Sequence, residues 1–187
     1  MNLKLRWRTA GQINRRSLPS PLRDLLFQSG SLTLYFEQHC AGKFTLELIR
    51  QSWQQPLYDE ARVLGLQTGA WTWVREITLK CNDYPCVYGR SIIPARTLSG
   101  AERRLGYWGQ RSLGDYLFSG RKVRRGRIEV AKILPEHRLF NLVTKNVAAA
   151  EKELWCRRSL FFIKNKPLLV VEIFLADVIQ CMNSGKK

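Results

Sequence analysis

From Lys43 to Trp53 the chain alternates. Phe44, Leu46 and Leu48 fall on one side, Thr45 and Glu47 on the other, which is the period-two pattern of a half-buried strand. WTWVREITLKCNDYPCVYGRSIIP (71–94) predicts two strands joined by a turn at Asn82-Asp83-Tyr84-Pro85, a hairpin. WCRRSLFFIKNKPLLVVEIFL (155–175) predicts a second hairpin, turning at Lys164-Asn165-Lys166-Pro167. RIEVAKI (127–133) reads as a further strand, led in by the basic run RKVRRGR (121–127).

Helical spacing occupies the intervals. SPLRDLLFQSG (20–30) predicts a short helix with Ser20 as cap, Pro21 at the first helical position and Gly30 at its end. SLTLYFEQHCAG (31–42) places Leu32, Tyr35, Phe36 and His39 on one helical face and stops at Gly42. TLSGAERRLGYW (97–108) holds Ser99 and Glu102 in capping-box spacing. SLGDYLF (112–118) reads as another short helix, and PEHRLFNLVTKNVAAAEKELW (135–155) as the longest one, while 54–69 reads as loop. The expectation is an α+β domain: a six-stranded antiparallel sheet made of consecutive hairpins, with short helices on one face. It spans the single unit 1–187, with 1–19 and 177–187 peripheral. No internal repeat or low-complexity tract divides it.

Two strands carry charge where core is expected. Side chains alternate between the faces of a strand. In PLLVVEIFL, Glu172 therefore shares a face with Leu168, Val170 and Phe174; in WTWVREITL, Arg75 shares one with Trp71, Trp73, Ile77 and Leu79. Burying an unpaired ion costs several kcal/mol, comparable with the stability margin of a whole domain. One reading is structural: Arg75 and Glu172 pair with each other, or each finds backbone partners. The other is a closed pocket on the core side of the sheet. There Arg75 grips a ligand carboxylate bidentately, and Glu172 accepts a hydrogen bond or proton at the ligand's other end. Arg90 falls between Tyr88 and Ile92 and, on the same argument, is a candidate for a second carboxylate.

Charge and cysteine content add context. The chain of 187 residues carries 31 Lys/Arg against 15 Asp/Glu, a net charge of +16. Such an excess concentrates anions of any kind, so it is compatible with a nucleic-acid binder or with a pocket for a small anion. The five Cys are odd in number and form no CxxC pair, which suggests reduced thiols and a cytoplasmic protein. The basic N-terminus has no apolar core of a secretory signal, and no segment reaches the ~20 apolar residues of a membrane helix. His39, Cys81, Cys86 and Cys156 lack the spacing of a zinc site. The absence of a P-loop, GxGxxG or GxSxG leaves NTPase, dinucleotide and serine-hydrolase readings without support. RKVRRGR reads as a solvated basic loop.

Four blocks, WTWVREITL, GRSIIPARTLSG, LGDYLF and RRSLFFIKNKPLLVVEIFL, resemble those of the chorismate pyruvate-lyases in order and spacing. These enzymes make 4-hydroxybenzoate for ubiquinone. The similarity covers residues 20–176. The resemblance implies helical flaps closing over an internal site in a monomeric, cytoplasmic carbon–oxygen lyase that uses no metal or organic cofactor. It implies chorismate as substrate and 4-hydroxybenzoate as product, with no obligate protein partner, nucleic acid or membrane span. Arg75 matches the arginine that holds the ring carboxylate, and Glu172 the glutamate that meets the 4-hydroxyl. Leu32 and Leu113 match flap positions that act largely through backbone groups. Glu172 and Arg90 are then the candidate catalytic residues. Ser112 and Ala176 stand where the family usually has Pro. Two rivals remain. The same fold serves as a small-aromatic-acid sensor in transcription regulators, although a first strand at Lys43 leaves too little chain for their winged helix as well. The charge alone supports nucleic-acid binding.

Overall fold

The structure is a computed structural model that describes residues 4–119, 122–147, 152–176 and 178. Its strands are β1 (Arg8–Thr9), β2 (Phe44–Gln54), β3 (Thr72–Cys81), β4 (Tyr84–Pro94), β5 (Val123–Ile133), β6 (Leu154–Ile163) and β7 (Lys166–Phe174). Its α-helices are α1 (Arg23–Leu26), α2 (Leu32–His39), α3 (Tyr58–Val63), α4 (Leu113–Ser119) and α5 (Arg138–Asn146). The strands form one antiparallel sheet in the order β1-β5-β6-β7-β4-β3-β2. It has seven strands, not six. The addition is the two-residue β1, which pairs with β5 and is too short to leave a periodic trace in the sequence.

Both hairpins form. Each turn is two residues rather than four: Asn82 and Asp83, then Lys164 and Asn165, all at positive φ. Two successive left-handed residues give the turn whose twist matches the strands. The basic run is not a loop, because β5 begins at Val123 and takes Arg124 and Arg125 into the sheet.

Helices cover both faces of the sheet, not one. Tyr88, Ile92, Leu169, Val171 and Ile173 pack with Leu57 and Leu64 around α3, and with Leu139, Phe140 and Val143 of α5. On the opposite face, Ile77, Leu79, Val87 and Phe174 pack with Leu25 and Leu26 of α1 and with Leu32 and Phe36 of α2. Further along that face Phe161 and Leu168 meet Leu113 and Leu117 of α4. Double coverage explains why PLLVVEIFL is apolar at nearly every position. α3 lies in the stretch that reads as loop. The 135–155 pattern splits: α5 ends at Asn146, β6 begins at Leu154, and 148–151 lie outside the described residues.

Two local expectations are corrected. Ser99 caps no helix; its hydroxyl donates to the Arg96 carbonyl. Glu102 instead pairs with Lys164 at 3.1 Å and Lys166 at 3.6 Å, tying the 3-10 turn Gly100–Tyr107 to the β6–β7 hairpin. The cysteines are not all thiols: Cys40, just beyond α2, is bonded to Cys81 at the end of β3. The helix stop brings the two Cα atoms to 5.7 Å, within disulfide reach. The thiol-based argument for a cytoplasmic location falls with it. Buried Cys156 is free, and its pKa is raised by burial.

Candidate functional site

Charge is buried on both faces, and the sheet keeps the two sets apart. On the α3/α5 face, Arg90 Nε donates to Glu60 Oε1 at 2.7 Å and Nη1 to Glu76 Oε1 at 2.5 Å, while Nη2 reaches Glu60 Oε2 at 3.2 Å. Burial works against the guanidinium's charge, but the two carboxylates outweigh it and raise its pKa. Arg90 is thus saturated by carboxylates and does not share a pocket with Arg75.

The cause is one residue. Counted from the Asn82-Asp83 turn without interruption, Arg75 would stand directly opposite Arg90. Lys80 does pair with Pro85, but Leu79 pairs with Val87, so Cys86 is an extra residue in β4. A bulge of one residue exchanges the faces of everything beyond it. Arg75 consequently faces Ser91, and Arg90 pairs across the sheet with Glu76.

On the α1/α2/α4 face, cross-strand pairing lays down two rows. One runs Ile77, Gly89, Glu172, Arg157, and the next Arg75, Ser91, Val170, Ser159. Gly89 is required in the first row, since a Cβ there would lie 2.9 Å from Ile77 Cγ1. Above these rows is a cavity roofed by Ser31, Leu32 and Thr33 at the start of α2 and by Leu113 and Gly114 at the start of α4. It encloses ≈ 560 Å³ of atom-free space, mouth included. The two helix starts touch: a Cβ on Gly114 would fall 2.3 Å from Ser31 Oγ, the atom that caps α2 by accepting from the Leu34 amide at 3.3 Å. Ser112 Oγ caps α4 in turn, accepting from the Asp115 amide.

Arg75, Glu172, Leu32 and Leu113 therefore meet at one cavity. Arg75 and Glu172 do not pair with each other. Arg75 Nε and Nη2 donate to the Gly109 carbonyl at 3.1 and 2.9 Å, and Nη2 also reaches the Arg111 carbonyl at 2.8 Å. Nη1 has no hydrogen bond to another described residue. Burial pushes the Arg75 pKa down to about 10, so the group still carries its charge at neutral pH. Glu172 Oε2 accepts from Arg157 Nε at 2.6 Å. Its Oε1 has no hydrogen-bond partner among the described residues. Arg157 is 1% exposed and also donates from Nη1 to the Leu25 and Gln28 carbonyls, at 3.0 and 2.6 Å. It thereby anchors the end of α1.

Two cavity residues escape the sequence reading. Arg157 was legible in principle: counting back from a two-residue turn at Lys164-Asn165 sets it opposite Glu172. Arg125 was not. It precedes a register shift between Arg125 and Ile128, and nothing in RKVRRGR distinguishes an inward arginine from its neighbours. No group of three or more His, Cys, Asp or Glu among the described residues is placed to hold a metal, and no described helix is long and apolar enough to cross a membrane.

An apolar cavity inside an antiparallel sheet domain, with three guanidiniums against one carboxylate among its described lining residues, has the charge and enclosure suited to a small organic anion. The effector domain of PhnF from Mycobacterium smegmatis superposes with a TM-score of 0.55 at 18% identity, over 79% of this chain and 90% of that one. A GntR-family transcriptional regulator from Bacillus cereus gives 0.54 at 12% identity, over 73% and 94%. At such identities the likeness concerns the fold. The sequence goes further: residues 1–182 match the family model described as chorismate lyase, and the chain belongs to that family. A relative from Methylococcus capsulatus named "Probable chorismate pyruvate-lyase" is 39% identical over 86% of this chain and 98% of its own. One from Hamiltonella defensa named "Chorismate pyruvate-lyase" is 33% identical over 97% and 91%.

Proposed function

We propose that the protein converts chorismate to 4-hydroxybenzoate and pyruvate in the cavity between Arg75 and Glu172. One observation carries the reading. An arginine and a glutamate face the same enclosed apolar space, neither neutralises the other, and each keeps one polar atom (Nη1 and Oε1) without a hydrogen bond to another described residue. They sit on β3 and β7, two strands apart across β4, which is roughly 10 Å between backbones. A six-membered ring with a carboxylate at one end and a hydroxyl at the other spans such a gap once the side chains reach inward.

In this reading Arg75 clamps the ring carboxylate and the first turns of α2 and α4, at Leu32 and Leu113, close over it. Glu172 Oε1 meets the 4-hydroxyl end and accepts the C4 proton. The bond between C3 and the ether oxygen breaks, and its electrons leave with enolpyruvate. The C–H electrons at C4 become the new ring double bond. Enolpyruvate gains a proton at its methylene carbon and is released as pyruvate. Atoms and electrons balance between chorismate and the two products, so the reaction calls for no oxidant or reductant. Aromatisation supplies the driving force. Positioning the reactant within an enclosed site can contribute about 7–11 kcal/mol. The product would serve as a ring precursor of ubiquinone. A monomer in the cytoplasm is part of the same reading, on the family resemblance alone.

The experiment is direct: purified protein and chorismate are incubated, and both products are followed by chromatography. Stoichiometric 4-hydroxybenzoate and pyruvate are expected. No product from folded protein that still binds 4-hydroxybenzoate would favour a sensor, the use suggested by the effector-domain likeness.

A further inference from the structure

Chorismate is a dianion, and the assignments above place only its ring carboxylate. Its second carboxylate belongs to the enolpyruvyl arm, attached next to the carbon that bears the hydroxyl. If the ring runs from Arg75 to Glu172, that arm emerges at the Glu172 end, toward β6 and β5. Two guanidiniums line the cavity there, Arg157 and Arg125. Arg157 is committed to Glu172 and to two carbonyls of the α1 end. Arg125 is held differently. Its Nε donates to Ser159 Oγ at 3.0 Å and Nη1 to the Ser29 carbonyl at 2.5 Å, and Nη2 has no hydrogen bond to another described residue. The guanidinium lies over the rings of Phe118 and Phe161, at 5.5 and 5.3 Å from their centroids. These contacts fix its plane at the edge of the cavity.

Resting on the lyase reading, we propose that Arg125 binds the enolpyruvyl carboxylate of chorismate and makes the cavity selective for the dicarboxylate. Three geometric points support it. Ser159, which orients Arg125, belongs to the same row as Arg75, so the two arginines bracket that row from opposite ends. They are four strands apart in the sheet, roughly 19 Å at the backbone, with Glu172 in the adjacent row between them. The charge also closes: Arg75, Arg125 and Arg157 against Glu172 leave two positive charges among the described lining residues, the complement of a dianion. Burial, reinforced by the positive charge of Arg157 and opposed by Glu172, pushes the Arg125 pKa down to about 10.

The test compares a ligand with two carboxylates and one with a single carboxylate in the same variants. Wild-type turnover of chorismate comes first; its absence would remove the lyase reading and this assignment with it. With turnover established, Arg125→Met is expected to lower kcat/KM for chorismate about 100-fold, through a raised KM. The Kd for 4-hydroxybenzoate and the melting temperature should stay close to wild type. Arg125→Lys, which keeps the charge but loses the fork, should recover part of the loss. An unchanged KM for chorismate in Arg125→Met would overturn the assignment while leaving the lyase reading intact. So would a parallel loss of 4-hydroxybenzoate affinity, which would mark Arg125 as a structural support of the Ser29 loop.

Discussion

Arg75, Glu172 and Arg90 began as three instances of one puzzle, a charge within an apolar strand, and the structure resolves each differently. Arg75 rests on carbonyl oxygens and keeps a donor for the cavity. Removing it should raise the Kd for 4-hydroxybenzoate at least about 100-fold, because the carboxylate would then lie unpaired in an apolar space; calorimetric titration of Arg75→Ala checks this. Glu172→Gln preserves shape and should fold normally while turnover falls about 10²–10⁴-fold if the carboxylate is the base. Turnover near wild type in a rapid-mixing assay would leave it a positioning role. Arg90→Met should behave in the opposite sense. It strands Glu60 and Glu76 in the α3/α5 core and should cost about 3 kcal/mol of stability in a denaturant titration, while the folded protein binds 4-hydroxybenzoate as before. Alternation along a strand was enough to flag all three as set into apolar faces of the sheet. It could not divide them between faces, because that depends on a bulge at Cys86 that no residue type announces.

At the scale of elements, the hairpins were readable because their apolar runs are interrupted by residues that tolerate left-handed backbone. The helices were less so. α3 is six residues long, too short to show a helical period. The end of the long 135–155 pattern is not legible because Lys152-Glu153-Leu154-Trp155 mixes helical and strand preferences; α5 stops where Val147 turns to an extended backbone. The roof of the cavity depends on how closely α2 and α4 start together. Gly114→Ala tests this. Alanine favours a helix interior by about 1 kcal/mol, yet its Cβ would collide with Ser31 Oγ. The two helix starts should separate, and affinity for 4-hydroxybenzoate should fall while global melting hardly changes. Equal affinity in isothermal titration would show that the roof does not depend on this contact.

For the molecule as a whole, the net charge of +16 is far larger than the two positive charges the cavity contributes. Composition alone could not separate a nucleic-acid surface from an anion pocket, and most of this charge acts at a distance. It should attract a dianion more strongly than a monoanion. The kcat/KM for chorismate is therefore expected to fall as salt is raised, with kcat itself nearly constant; a salt-independent kcat/KM would refute steering. Arg75 and Arg125 impose no pH dependence near neutrality. Arg75 and Arg125 are both lowered only to about 10, so each stays protonated between about pH 6 and 8. Affinity for 4-hydroxybenzoate should be flat there and decline only as pH rises toward the folded-state value of Arg75, about 10.

The Cys40–Cys81 bond gives the cavity roof a mechanical character. α2 is pinned to the sheet immediately beyond its last turn, while Leu32 and Ser31 at its other end cover the ligand space. A rod fastened at one end swings; it does not lift away. Any admission of a ligand past α2 would then be a pivot about Cys40, with its widest travel at Leu32, the end that lines the cavity.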